Sequence, residues 1–144
     1  MSIQEAEKQL IESFSLFEDW MEKYNYLIEL GKELPPMDKA YKEDKYLIRG
    51  CQAQVWLHAR MKDGRLIFSA DSDALITKGI VALLIQVLSD QPPGEIIQSD
   101  LSFLDKIGLK EHLSQTRSNG LLSMIKQMKL YAIAFSSDQQ ANKK

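Results

Sequence analysis

The sequence predicts an α+β fold in which a small antiparallel sheet packs against several amphipathic helices. Apolar residues recur at helical spacing near both ends of the chain. Residues 54–61 instead alternate between apolar and polar side chains, as a half-buried strand does. An Asp63-Gly64 pair, typical of a hairpin turn, follows that strand. A sheet with one apolar face needs helices to cover it, and this requirement favours the α+β class.

Two helices are predicted before the first pair of prolines. The first covers about residues 3–17, and the second covers about residues 20–33. Asp19 is placed to be the N-cap of the second helix, and Glu22 three residues later completes a capping-box pattern. Pro35-Pro36 end this helix, because proline cannot continue one.

The middle of the chain is predicted to form an antiparallel meander of about three strands. A short strand at residues 46–48 precedes the alternating strand at 54–61. The partner strand at 66–70 returns after the Asp63-Gly64 turn. Cys51 then falls in the first connection of the meander.

Helices return after the strands. Asp71, Ser72 and Asp73 offer capping side chains and negative charge at the start of a third helix, which runs to about residue 88 and breaks at Pro92-Pro93. The remaining predicted helices cover residues 95–98, 103–107 and 118–135. The polar residues 136–144 are predicted to be a frayed, flexible tail of a chain that forms one domain over residues 1–144.

Composition and charge restrict the functional classes. The net charge of -2 and the pI near 5.7 leave no surplus of basic residues for nucleic-acid binding. The longest apolar stretch, residues 79–88, is too short to cross a membrane, and the N-terminus lacks the pattern of a secretory signal. A single cysteine cannot form an intrachain disulfide, so a reducing cytoplasm is the expected location.

The one cysteine, Cys51, is the candidate reactive side chain. Residue type alone favours a small buried hydrophobic role. Gly50, however, suits a tight loop, and the polar residues Gln52 and Gln54 are not typical of a core. Arg49 would favour the thiolate if its guanidinium turned toward the sulfur. A functional loop is therefore the competing interpretation.

Other chemistries have less support in the sequence. A cysteine hydrolase or peroxidase needs a base within hydrogen-bond reach, and the spacing places neither His58 nor His112 beside Cys51. One cysteine and two histidines do not make a zinc motif. The sequence contains neither a Cys-x-x-Cys pair nor a glycine-rich phosphate-binding loop. No metal and no cofactor is predicted.

Four blocks of this sequence together resemble the SufE-like sulfur acceptors, which are partners of cysteine desulfurases. The blocks are residues 24–31 with Leu34-Pro35, residues 49–57, residues 71–79 and residues 113–121. They agree in order and spacing and cover nearly the whole chain, from the second helix to the last. One departure is Ala53, where the family usually has a serine, and it removes a hydroxyl two residues from the thiol.

The resemblance implies a fold like that of iron–sulfur scaffold proteins and a role as a sulfur relay. A cysteine desulfurase that depends on pyridoxal phosphate would hold sulfur as a persulfide, and Cys51 would attack its terminal sulfur. The chain would also stimulate the desulfurase and pass the sulfur to the iron–sulfur scaffold complex. Whether such a sulfurtransferase-like carrier is an enzyme is a matter of definition, because Cys51 is both acceptor and donor.

The resemblance also nominates residues that would support the loop or meet the partner. They are Arg49, Gly50, Gln52, Gln54, Asp73 and Arg117. Asp73 would either cap the third helix or hold the loop, and Arg117 would either lie near the loop or simply begin the last helix. Cys51 is expected to pack partly inside the free protein and to swing out on docking. The alternative function is a regulatory module that docks on a desulfurase while its cysteine is only structural.

Overall fold

The computed structural model describes residues 1–142, and over that range the chain forms six α-helices and one two-stranded antiparallel sheet. The elements are α1 (Ile3–Ser15), α2 (Trp20–Lys32), β1 (Val55–Lys62), β2 (Arg65–Ser72), α3 (Leu75–Leu88), α4 (Pro93–Gln98), α5 (Phe103–Lys106) and α6 (Gln115–Asn142). Short 3-10 turns lie at Lys39–Tyr41, Asp44–Tyr46 and Lys110–His112. The predicted α+β class is confirmed.

The first two helices begin where side-chain caps satisfy their free backbone donors. The Ser2 hydroxyl accepts from the Glu5 amide at 3.1 Å, and the Asp19 carboxylate accepts from the Glu22 amide at 2.9 Å. The Glu22 carboxylate accepts in turn from the Glu18 amide at 3.3 Å. The predicted start of α2 at Asp19 is therefore confirmed.

The core lies between the sheet and the helices, with α3 at its centre. Eight residues of α3 are buried, because this helix is apolar on most of its surface. Its side chains pack with the inward faces of β1 and β2, including Leu57 and Phe68, and with Leu27 of α2. Gly31 and Gly79 let the α2 and α3 backbones approach closely, since a Cβ at Gly31 would lie 2.9 Å from the Gly79 nitrogen.

The sheet is the hairpin that the alternating pattern predicts. Val55 pairs with Ser72 at one end and Lys62 with Arg65 at the other. Asp63 and Gly64 form the turn with φ of 53° and 78°.

The predicted third strand at residues 46–48 is wrong, since it is reduced to one β-bridge. Leu47 pairs with Trp56, and the Ile48 amide donates to the Val55 carbonyl at 2.8 Å. Tyr46 belongs to a 3-10 turn, and Gly50, with φ of 95°, bends the chain away from β1. Pairing is therefore interrupted on both sides of Leu47, and the sheet in residues 1–142 has two strands.

The last helix is longer than the sequence pattern predicts. It begins at Gln115 rather than near residue 118, because the Ser114 hydroxyl accepts from the Arg117 amide at 3.3 Å. It continues to Asn142, beyond the predicted end at residue 135, and the flexible tail over residues 136–144 stays a prediction. Residues 143–144 of that predicted tail lie outside the described residues. No helix within residues 1–142 is long and apolar enough to span a membrane.

Candidate functional site

Cys51 lies on a loop that crosses α6 just before β1 begins. We call residues 49–54 the cysteine loop. Gly50 brings this loop against the helix, since a Cβ at Gly50 would collide with the Ser123 hydroxyl of α6. Its φ of 95° also belongs to the region that side chains other than glycine rarely adopt. Gly50 therefore fixes both the bend of the loop and its contact with α6.

The Cys51 thiol is half-buried and faces α6. It donates to the Gly120 carbonyl, with 3.6 Å between Sγ and the oxygen. Gly120 lies directly beside the sulfur, and a Cβ there would make an ordinary van der Waals contact with Sγ at 3.5 Å. Burial raises the pKa of the Cys51 thiol. An Arg49 guanidinium turned toward the sulfur would instead lower this pKa by favouring the thiolate.

A cleft of about 240 Å³ opens beside the thiol. Its walls come from the cysteine loop, from the first turns of α3 and from the first three turns of α6. With Cys51, the residues that line it include Gln52, Ala53, Thr77, Ile80, Thr116, Arg117 and Met124. The structure thus brings Arg117 and Gln52 to the same cleft as Cys51. Ala53 also lines it.

Asp73 ties the end of the cysteine loop to the start of α3. Its carboxylate accepts from the Gln54 amide at 3.0 Å, and its own amide donates to the Gln54 carbonyl at 3.3 Å. The N-cap of α3 is Ala74, which makes no side-chain capping bond, so the predicted capping role of Asp73 is wrong. Gln54 takes part through its backbone, and its side chain is exposed.

An ion-pair cluster lies next to this tie. The Asp71 carboxylate contacts the amines of Lys42 at 2.5 Å and Lys78 at 3.3 Å. Burial acts to raise the pKa of Asp71, but the hydrogen bonds from Lys42, Ser72 and Lys78 outweigh it and lower the pKa from its ordinary value. The carboxylate is therefore ionised at neutral pH and joins β2 to α3 and to the segment before the cysteine loop.

Arg49 is not part of the cleft. Its exposed side chain lines a second depression, on the side of α6 where Lys45 and Lys126 lie. Arg49 and Cys51 also share a third, shallow depression along the outside of the cysteine loop.

The two histidines lie in aromatic stacks away from the cleft lining. The His58 ring stacks on Tyr41 with 3.7 Å between centroids, and the His112 ring stacks on Trp20 at 4.0 Å. Burial, and then the charge of Arg60, lower the pKa of His58. No histidine or carboxylate is among the described residues that line the cleft, so the structure offers Cys51 no general base there. The described residues also contain no group of three or more His, Cys, Asp or Glu placed to hold a metal ion.

Sequence reasoning missed the part that α3 and α6 play in forming the cleft. Thr77 and Thr116 line it, and Gly120 lies beside the sulfur. The available signal was Gly120 itself, because a glycine inside a helical pattern usually has a packing reason. The residue that it faces cannot be read from the sequence, since the contact joins positions 69 residues apart.

Comparisons with known proteins show the family of this chain and agree with its fold. A family model described as SufE, "Fe-S metabolism associated domain", matches residues 8–132. An uncharacterized SufE-like protein of Rhizobium meliloti is 42% identical in an alignment of 126 residues that covers 84% of this chain and 90% of that protein. The solution structure of a hypothetical protein from Thermus thermophilus superposes with a TM-score of 0.75 at 20% identity, over 90% of this chain and 94% of the other.

Proposed function

This chain belongs to the SufE family, and from that premise we propose that Cys51 accepts a sulfur atom from a cysteine desulfurase and relays it to iron–sulfur cluster assembly. The observation that carries the proposal is the position of the thiol. Cys51 is the only cysteine, it lies on a loop, and it faces a cleft large enough to hold further atoms. Family membership associates the chain with iron–sulfur metabolism, and the loop supplies a group suited to carrying sulfur.

The transfer is a displacement at sulfur. The Cys51 thiol loses its proton, and its sulfur attacks the outer sulfur of a persulfide on the desulfurase. A new sulfur–sulfur bond forms on Cys51 while the bond in the donor persulfide breaks. The desulfurase cysteine leaves as a thiolate and takes up a proton, so the step involves no net oxidation or reduction. The pyridoxal phosphate that releases sulfur from free cysteine belongs to the desulfurase.

The raised pKa of Cys51 fits a carrier that rests in a protected state. A protonated, half-buried thiol reacts slowly with oxidants and other electrophiles. If the loop leaves the cleft when the desulfurase docks, the burial that raises the pKa is removed and the thiolate fraction grows. We propose this outward movement as the switch between storage and transfer, with Gly50 as its pivot.

Arg117 and Gln52 are proposed to assist at the cleft. Both side chains line it, and a guanidinium can pair with the negative charge of a persulfide anion. Asp73 and the Gln54 backbone hold the other end of the loop, so that Cys51 returns to the same place after each transfer. We place the reaction in the cytoplasm, where thiols remain reduced.

The second candidate is a regulatory docking module, favoured by the half-burial of Cys51, which also suits a structural cysteine. A desulfurase assay with free cysteine separates the two roles by comparing the wild-type chain with Cys51→Ser. A relay stimulates alanine production in the wild type and loses that stimulation in the variant. A docking module keeps its effect on the desulfurase without the thiol, and that result would overturn the relay.

A further inference from the structure

A groove with a basic lining runs along α6 next to the cysteine loop. We call it the basic groove. It has a volume of about 370 Å³ and lies between residues 45–49 and α6. Three cations line it, Lys45, Arg49 and Lys126, and no carboxylate does so among the described residues. Such a cluster is notable in a chain whose net charge is -2.

The three cations of the basic groove are available to a partner. All three side chains are exposed, and none of them takes part in an ion pair within the described residues. By contrast, Lys42 and Lys78 are neutralised by Asp71. A concentration of unpaired positive charge attracts an acidic partner and speeds its association.

The groove also offers apolar contact. Leu130 and the ring of Tyr131 line it, and Leu130 is 46% exposed. Leu122 and Ile133 are exposed as well, so apolar side chains project from the solvent side of α6 beyond the groove. A binding surface of this kind, apolar with charges at its edge, matches the usual anatomy of a protein interface.

The basic groove is continuous with the cleft. Arg49 lies in the groove, Cys51 lies at the cleft, and Gly50 between them packs against Ser123, which is itself a groove residue. The two hollows use successive turns of α6, with Arg117 and Met124 on the cleft side and Lys126 and Leu130 on the groove side. A partner that reaches Cys51 therefore lies beside the groove.

We propose that the basic groove binds an acidic segment of the desulfurase, one with carboxylates for Lys45, Arg49 and Lys126 and an apolar side chain for Leu130. This inference rests on the proposed function and adds the chemistry by which the partner is recognised. A protein segment is favoured over nucleic acid because Leu130 offers an exposed apolar contact beside the cations, whereas nucleic acid binding uses an extended basic surface. Holding the partner at Arg49 would place its active site next to Cys51.

The test measures the dissociation constant between the desulfurase of the same organism and the full chain at several salt concentrations. We expect Lys45→Glu with Lys126→Glu to weaken binding by about tenfold or more and to reduce its salt dependence. The matched control is Lys8→Glu with Lys62→Glu, which makes the same change in net charge at exposed lysines outside the groove. Circular dichroism melting of both variants checks that they fold.

A zero-length carbodiimide cross-link followed by mass spectrometry identifies the occupant. We expect Lys45 or Lys126 to be joined to an aspartate or glutamate of the desulfurase. Equal binding of the desulfurase by the two charge-reversal variants would overturn the inference. The inference would also be overturned if Lys45→Glu with Lys126→Glu lost binding to RNA or to anionic vesicles but kept its affinity for the desulfurase. Failure of the proposed function is a separate result, because wild-type Cys51 would then gain no sulfur however tightly the partner binds.

Discussion

In two places of this protein, a pair of glycines lies where a helix contacts a neighbouring segment, and the two contacts differ in kind. Gly31 and Gly79 join α2 to α3, where a Cβ at Gly79 would overlap the backbone carbonyl of Leu27. Gly50 and Gly120 surround Cys51, where a Cβ at Gly120 would make only an ordinary contact with the sulfur at 3.5 Å. The first contact is between two helix backbones, whereas the second is between a helix and a loop.

The difference separates a packed contact in the core from the loop that carries the proposed site. The α2–α3 contact lies in the core and gains stability from the close packing of both helices. The cysteine loop is held by few bonds, chiefly the pair between Asp73 and Gln54 and the weak thiol bond to Gly120. Because a loop with few contacts opens more easily than a packed core, we expect the cysteine loop to move as the proposed carrier role requires.

The largest effect is expected for Gly79→Ala, which tests whether the α2–α3 contact is rigid. The added methyl group meets backbone atoms that cannot rotate away, so we expect a loss of about 2–3 kcal/mol in the free energy of unfolding. Urea denaturation measures it. Gly94→Ala is the matched control, because a Cβ there meets nothing within 4 Å. Equal stability of the two variants would show that α2 and α3 can move apart freely.

The next effect concerns the restraint on the cysteine loop. Asp73→Ala removes the acceptor for the Gln54 amide, a bond worth about 0.5–1.5 kcal/mol. We expect the loop to open more often and iodoacetamide to alkylate Cys51 several times faster. Asp105→Ala, a change at an exposed carboxylate that does not line the cleft, serves as the control. An unchanged alkylation rate would mean that the Asp73 tie does not limit opening.

The ion pairs of Asp71 give a prediction for pH. Its pKa is lowered in the folded state, so the stability it contributes is present above the unfolded pKa and is lost as pH falls through the folded pKa. Asp71→Asn should therefore be less stable than the wild type at neutral pH, and the deficit should shrink in acid. Urea midpoints at pH 7 and pH 3 measure this difference. A deficit that is constant with pH would assign it to packing instead of charge.

The smallest change in stability is expected for Gly120→Ala, which tests the contact between α6 and the cysteine loop. Alanine favours the helix by up to about 1 kcal/mol, and its methyl group makes an ordinary contact with the sulfur, so the fold should be preserved or slightly stabilised. The methyl group also takes up space beside the thiol, and we expect Cys51 to accept sulfur more slowly. A strongly destabilised variant would show that this contact is as rigid as the one at Gly79.

The sequence patterns predicted much of the fold but less of the site. Capping at Asp19, the alternation of residues 54–61 and the Asp63-Gly64 turn are local signals, and each led to the correct element. The predicted strand at 46–48 failed because the 3-10 turn and the bend at Gly50 interrupt its pairing. Such competition between local geometries leaves no clear period in the sequence.

The candidate site shows the same division. Cys51 and the residues next to it were found because they are adjacent in the chain. The approach of Arg117 and Gly120 depends on how α6 packs, which periodicity does not specify. Asp73 was predicted either to cap the third helix or to hold the loop, and its carboxylate accepts from the Gln54 amide at the end of the loop. Long-range contacts of this kind require the folded structure.

A single-turnover transfer tests the central claim most directly. A desulfurase is loaded with persulfide, freed of excess cysteine and mixed with an equal amount of this chain, and the intact masses of both proteins are followed with time. We predict that the desulfurase loses one sulfur atom while the Cys51 peptide gains one, and that Cys51→Ser gains none. Sulfur that stays on the desulfurase while the two proteins form a complex would contradict the account.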